Sequence, residues 1–133
     1  MVYELAQRFH FEAAHTLERD IDAAPSKRMH GHTYHAEVTL RGTPDPATGM
    51  VMDLGHFRRV LADVQALLDH HLLNEVEGLE QPTLEGLCAF IAARLKDPLP
   101  GLVSVKLWRA TGDSCKLIVD AMPVRRPRSV AAG

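Results

Sequence analysis

His15, His30 and His32 stand in two short runs, Phe11-Glu-Ala-Ala-His15 and His30-Gly-His32-Thr-Tyr34. Imidazole nitrogens are the commonest metal ligands among side chains. Residues two apart on a β-strand point to the same face, so His30 and His32 can offer two nitrogens to one ion without backbone strain. A third histidine on a neighbouring strand completes a three-nitrogen site with one open position, the arrangement of catalytic zinc. Spacing alone also admits a plainer reading, in which each histidine is a hydrogen-bonded strand residue.

The elements that must position these residues are legible from periodicity. Val2, Tyr3, Leu5, Phe9 and Phe11 suggest a strand over 2–11, and 16–29 reads as a polar loop. His32, Tyr34, Ala36, Val38 and Leu40 alternate with Glu37, Thr39 and Arg41, a clear strand. The turn-rich run Gly42 to Gly49 precedes Met50–Met52, expected to return as a short strand. Asp53 caps a helix bearing Leu54, Phe57, Leu61, Val64 and Leu68, ending near Leu68 or His71. Pro82-Thr83 opens a second helix with Leu84, Leu87, Cys88, Ile91 and Leu95. Val103, Val105 and Leu107 alternate, and a turn at Thr111 leads into a last strand at Leu117–Val119. The order β-β-α-α-β-β predicts an α+β domain with both helices on one face of an antiparallel sheet.

At 133 residues and a net charge of −2, the chain fits one soluble domain. Residues 1–122 are expected to form it, leaving 123–133, with Arg125, Arg126 and Arg128, as a flexible solvated tail. The charge balance gives no reason to expect a nucleic-acid partner. No apolar run approaches the roughly 20 residues of a membrane span, and Met1 to Ala6 lacks the order of a signal peptide, so a cytoplasmic protein is expected. Cys88 and Cys115 show no Cys-x-x-Cys spacing. Cys88 lies on the apolar stripe of the second helix, and Cys115 follows a turn and could border the site.

Five motifs in order carry a family resemblance over nearly the whole chain: Phe-x-Ala-Ala-His15, His30-Gly-His-x-Tyr34, Asp45-Pro-Ala-Thr-Gly-Met-Val-Met-Asp53, Leu68-Asp-His-His-Leu-Leu-Asn74 and Gly78-Leu-Glu-x-Pro-Thr-x-Glu85. The chain resembles the 6-pyruvoyltetrahydropterin synthase and 6-carboxytetrahydropterin synthase family, in particular its queuosine-biosynthesis type. The resemblance implies a tunnelling fold, in which the four-stranded sheets of three subunits join into a barrel and two trimers stack as a homo-hexamer. It implies one Zn2+ per subunit on His15, His30 and His32. The substrate it implies is a small molecule, 7,8-dihydroneopterin triphosphate, and the proton-moving pair is Asp69 and His70. Histidine titrates near neutrality and suits that role. Adjacent residues of a regular helix do not face each other, however, so the pair needs a frayed helix end or unusual backbone. A helix terminus that favours histidine through its dipole is the competing reading of His70 and His71.

Two positions depart from the family pattern. Ser26 stands where the family has a thiol, four residues before His30. A serine hydroxyl does not ionise comparably, so Ser26 is at most a hydrogen-bonding substitute. Arg109 stands where a glutamate clasps the pterin ring. Arginine only donates, and its planar fork suits a carboxylate or phosphate. Arg109 is therefore a candidate substrate-binding residue if it points inward, and Asp113 is the nearest acid.

The leading expectation is a zinc-dependent lyase like 6-carboxytetrahydropterin synthase. Its alternatives are retro-aldol cleavage, which needs fewer proton transfers, a different anionic substrate, and a zinc-containing hexamer that binds a ligand without turning it over.

Overall fold

Alternation sets the first two strands, Tyr3–His15 (β1) and His30–Gly42 (β2). Along β1, Phe11, Ala13 and His15 are buried while His10 and Glu12 face outward. Along β2, Tyr34, Ala36, Val38 and Leu40 take the same buried face. The strands pair antiparallel without slippage from Tyr3↔Gly42 to His15↔His30. Leu102–Arg109 (β3) and Ser114–Ile118 (β4) extend the antiparallel sheet in the order β1-β2-β3-β4. The computed structural model describes residues 1–16 and 30–119. The expected loop beyond Thr16, Ser26, the 123–133 tail and the boundary at 122 lie outside them.

Two helices, Leu54–Leu68 (α1) and Leu84–Leu95 (α2), lie between β2 and β3 in the chain and pack on one face of the sheet. The Asp53 side chain accepts from the amide of His56, and Thr83 accepts from that of Gly86, so each caps its helix. Phe57, Leu61, Val64 and Leu68 of α1, with Leu87, Cys88, Ile91 and Leu95 of α2, meet Phe11, Tyr34, Val105 and Leu107 of the sheet. Each such side chain stabilises by roughly 1.5–3 kcal/mol when fully buried. The expected α+β order is the one observed. Among the described residues, no helix is long and apolar enough to cross a membrane.

Three boundaries differ from the expectation. β1 continues four residues past Phe11, because small Ala13 and Ala14 still alternate and carry the strand to His15. Met50–Met52 is not a strand. There the Asp45 amide donates to the Met50 carbonyl and the Asp45 carboxylate accepts from Ala47, so the segment closes a turn on itself. β4 starts at Ser114 and ends at Ile118, earlier than the apolar residues suggested. Its start is set by the turn that follows Arg109.

The outer face of the sheet is polar. His35 stacks on Trp108 at 5.5 Å, and the Arg8 guanidinium lies 5.4 Å from the indole centre. The far end of β1, where His15 sits, is tied to the chain that follows α1: the Ala14 amide donates to the His71 carbonyl at 3.1 Å.

Candidate metal centre

Strand register brings the histidines together. His15 pairs directly with His30, and His32 pairs with Ala13, so all three imidazoles stand on one face. Their ring centres lie 4.6, 5.0 and 5.1 Å apart, with planes at 72°, 88° and 89°. One ligand nitrogen from each lies within 4.8 Å of the others, and His15 Nε2 is 3.0 Å from His30 Nε2. Tetrahedral zinc with Zn–N near 2.0–2.1 Å requires nitrogens about 3.3 Å apart, inside this range.

Tautomers fit the same purpose. His15 is 1% exposed, and its Nδ1 lies 3.0 Å from the Pro82 carbonyl. A carbonyl only accepts, so Nδ1 carries the hydrogen and Nε2 presents a lone pair towards His30. The Tyr34 hydroxyl lies 3.3 Å from the same Nδ1. Burial pushes the His15 imidazole below its ordinary range; the Pro82 hydrogen bond opposes this, and His30 and Arg109 add to it. His32 is pushed down to about 4, by burial first and then by the Arg109 guanidinium and the other two imidazoles. A ligand that stays unprotonated does not compete with a metal for its own lone pair.

Arg109 points inward. Its side chain is 18% exposed, with Nη1 3.3 Å from His32 Nε2 and Nη2 2.7 Å from Asp113 Oδ2. Its Nε is buried with no hydrogen-bond partner among the described residues. The outward orientation allowed by the sequence is excluded.

Asp69 and His70 form their pair by leaving the helix. α1 ends at Leu68, Asp69 is extended, and His70 takes φ +59°, the left-handed region. Asp69 Oδ2 then lies 3.0 Å from His70 Nδ1. Glu12 of β1 holds both: its amide donates to Asp69 Oδ1 at 2.9 Å, and its carbonyl accepts from the His70 amide at 2.6 Å. The Glu12 amide is the main reason the Asp69 carboxyl lies below its usual range, with His70 a smaller one. His70 contacts Asp69 and Glu12, and its side chain is 79% exposed.

A family model described as 6-pyruvoyl tetrahydropterin synthase matches residues 4–118. The chain belongs to the 6-pyruvoyl tetrahydropterin synthase family. It is 38% identical over 107 residues to the 6-carboxy-5,6,7,8-tetrahydropterin synthase of Synechocystis, covering 76% of this chain and 81% of that one. The dihydroneopterin monophosphate aldolase of Pyrococcus furiosus is 32% identical over 111 residues, 81% of this chain and 90% of that one. Among solved structures, Caenorhabditis elegans 6-pyruvoyl tetrahydropterin synthase superposes with a TM-score of 0.77 at 25% identity, covering 89% and 96% of the two chains. The four-stranded antiparallel sheet with two helices is thus the tunnelling fold of this family.

Within this family member, sequence reasoning missed groups that hold the three histidines in place. Alternation places Tyr34 on the strand face of His32, but its hydroxyl's contact with His15 has no sequence signal. The Pro82 carbonyl has no sequence signal. Asn74 also went unassigned: its side-chain amide pairs with both the amide and the carbonyl of Thr16, fixing the chain just past His15. Cys115 pairs with Leu107 across β3 and β4. Its carbonyl accepts from the Cys88 thiol at 3.5 Å, and burial and Cys115 push that thiol up to about 12.

Proposed function

We propose that this protein is a metal-dependent lyase of the 6-carboxytetrahydropterin synthase type, acting on 7,8-dihydroneopterin triphosphate or a close analogue. The observation that carries the reading is the convergence of three imidazoles on one sheet face, with the His15 tautomer set by Pro82. His15, His30 and His32 would hold the ion, zinc by the family expectation. Bound there, it would supply Lewis-acid polarisation of the substrate's side-chain oxygens.

The protein's own residues do the rest. Asp69 accepts from Nδ1 of His70, which leaves Nε2 as the atom that takes or gives a proton. The two hydrogen bonds to Glu12 keep this pair in place as the proton moves. Ser26 contributes at most a hydrogen bond. We further propose that residues 1–122 act as one domain, and that three copies join sheet edge to sheet edge, two such rings forming the hexamer.

Retro-aldol cleavage of the same side chain is the second reading. The similarity to an aldolase over 90% of that protein's length favours it. So does Ser26, since cleavage needs fewer proton transfers than elimination with epimerisation.

Mass spectrometry of products from zinc-loaded protein and 7,8-dihydroneopterin triphosphate, beside a chelated control, tests both. A zinc-dependent carboxy- or pyruvoyl-pterin supports the leading reading, and a hydroxymethyl-pterin supports the second. Ligand binding without any zinc-dependent product would leave the non-catalytic hexamer.

A further inference from the structure

Arg109 is fixed at both ends. Its amide donates to the Asp113 carbonyl at 3.1 Å, and its carbonyl accepts from Gly112 at 3.0 Å, so the turn after β3 holds its backbone. The Asp113 carboxylate, steadied by the Thr111 hydroxyl at 3.3 Å, holds Nη2. At the other end Nη1 points at His32 Nε2, whose lone pair is one that this histidine can offer a metal. Between them Nε is buried with no hydrogen-bond partner among the described residues, the Tyr34 hydroxyl being the polar neighbour of the guanidinium. Buried charged donors without acceptors are costly and uncommon, and mark a place where an acceptor is missing.

Loading the site makes this worse. Once the His32 lone pair goes to a metal, Nη1 loses that acceptor, and the Tyr34 hydroxyl is the neutral group left beside the guanidinium. A divalent cation then lies beside a permanent cation with no anion between them. Asp113 already serves Nη2 and is 58% exposed, so it does not reach around to answer either problem. An oxyanion placed between the ion and the guanidinium answers both at once, by accepting the hydrogens and offsetting the charge.

We propose that Arg109 makes the metal centre a coupled metal-and-oxyanion site, in which a carboxylate or phosphate-type group of the substrate and the metal strengthen each other's binding. The inference rests on the reading of His15, His30 and His32 as metal ligands and adds the class of group bound beside them. Ring N–H groups need an acceptor, and Arg109 has none to give. Its partner is thus an anionic substituent of the substrate rather than the donor edge of a ring.

The test is a titration of metal-free protein with Co2+, followed by its visible absorption, in anion-poor buffer and again with sodium acetate or methylphosphonate at constant ionic strength. Each effective anion should tighten cobalt binding by roughly fivefold or more, and cobalt should tighten the anion by the same factor. The acetate and methylphosphonate arms show which oxyanion the site prefers. Arg109→Gln should abolish the coupling while binding cobalt more tightly than wild type in anion-poor buffer, because the competing donor and the adjacent cation are gone. Arg109→Lys keeps the charge and serves as a second variant should the glutamine fold poorly; it should retain only part of the coupling. Cobalt binding that ignores both anions, or coupling that survives in Arg109→Gln, would overturn the inference and leave the metal reading standing. A wild-type chain that binds no cobalt would remove both.

Discussion

Asp69 Oδ2 lies 3.0 Å from His70 Nδ1 although the two residues are neighbours in sequence. The contact exists because the helix stops at Leu68 and His70 adopts φ +59°. Histidine tolerates this region better than most residues but still carries strain of order 1 kcal/mol there, which a glycine would not. Such strain is retained where a side chain is needed for more than folding. His70→Gly is therefore expected to leave the unfolding free energy unchanged or raise it by up to about 1 kcal/mol, while lowering turnover by roughly 10²–10⁴-fold. Urea unfolding and a rate assay on the same preparation check both halves. A variant that keeps full turnover would remove His70 from the chemistry.

Asp69 predicts a pH dependence of stability with a definite sign. Its folded-state carboxyl lies below the ordinary value of 3.8, chiefly through the Glu12 amide. A depressed carboxyl stabilises the fold above its unfolded value, and that contribution is lost as pH falls through the folded one. Wild type should therefore exceed Asp69→Asn in stability at pH 5 to 7, and the gap should close as pH falls below about 4. Denaturation midpoints across that range test it. A gap that persists unchanged at the acid end would show that the Asp69 charge is not what Glu12 holds.

Much of the fold and the grouping of the three histidines was legible because both follow from period-two alternation. Once His30 and His32 sit on one strand, an antiparallel neighbour ending at His15 places the third imidazole beside them. Backbone conformation was harder to read. Nothing in Leu68-Asp-His-His marks His70 as left-handed, since that conformation is imposed by two hydrogen bonds to Glu12, more than fifty residues earlier in the chain. The direction of Arg109 was undecided for the same reason: strand alternation gives its face, but only Asp113 and His32 together give its aim. Met50–Met52 shows the reverse error, apolar residues taken for a strand where local turn bonds win.

Gly86 bears on the candidate metal centre from a distance. A Cβ built there would run into the Gln81 carbonyl oxygen, which belongs to the backbone. Gln81 is joined to Pro82, whose carbonyl orients His15. Gly86→Ala should displace that segment, destabilising the protein by roughly 1–3 kcal/mol and weakening metal binding several-fold. Thermal unfolding and metal titration report the two effects separately. Normal metal affinity in a destabilised variant would mean that Pro82 is not needed to orient His15.

Metal removal provides a direct check on the ligand set. Any ion that binds the folded chain alone raises its stability by mass action, about 2.7 kcal/mol at one hundred times the dissociation constant. Saturating Zn2+ should therefore raise the melting temperature of wild type, and chelation should reverse the gain. His30→Ala should show little gain from zinc while melting close to the metal-free wild type, because His30 is only partly buried. An undiminished zinc shift in this variant would place the ion elsewhere.

The proposed ring depends on the two edges of the sheet, β1 and β4. The Val119 amide donates to the Val103 carbonyl at 2.8 Å, which sets the alternation along β4. Residues 115, 117 and 119 bond inward to β3, and the amides of Lys116 and Ile118 point to the open edge. Ile118 is 52% exposed there, and at the opposite edge Val2 and Tyr3 are 66% and 49% exposed. Such an edge is a template for pairing with another chain. Proline at position 116 removes an edge amide without touching a bond to β3. Lys116→Pro should therefore shift sedimentation from a hexamer towards smaller species with the far-ultraviolet circular dichroism preserved. Sedimentation unchanged by the substitution would mean that copies associate through some surface other than this edge.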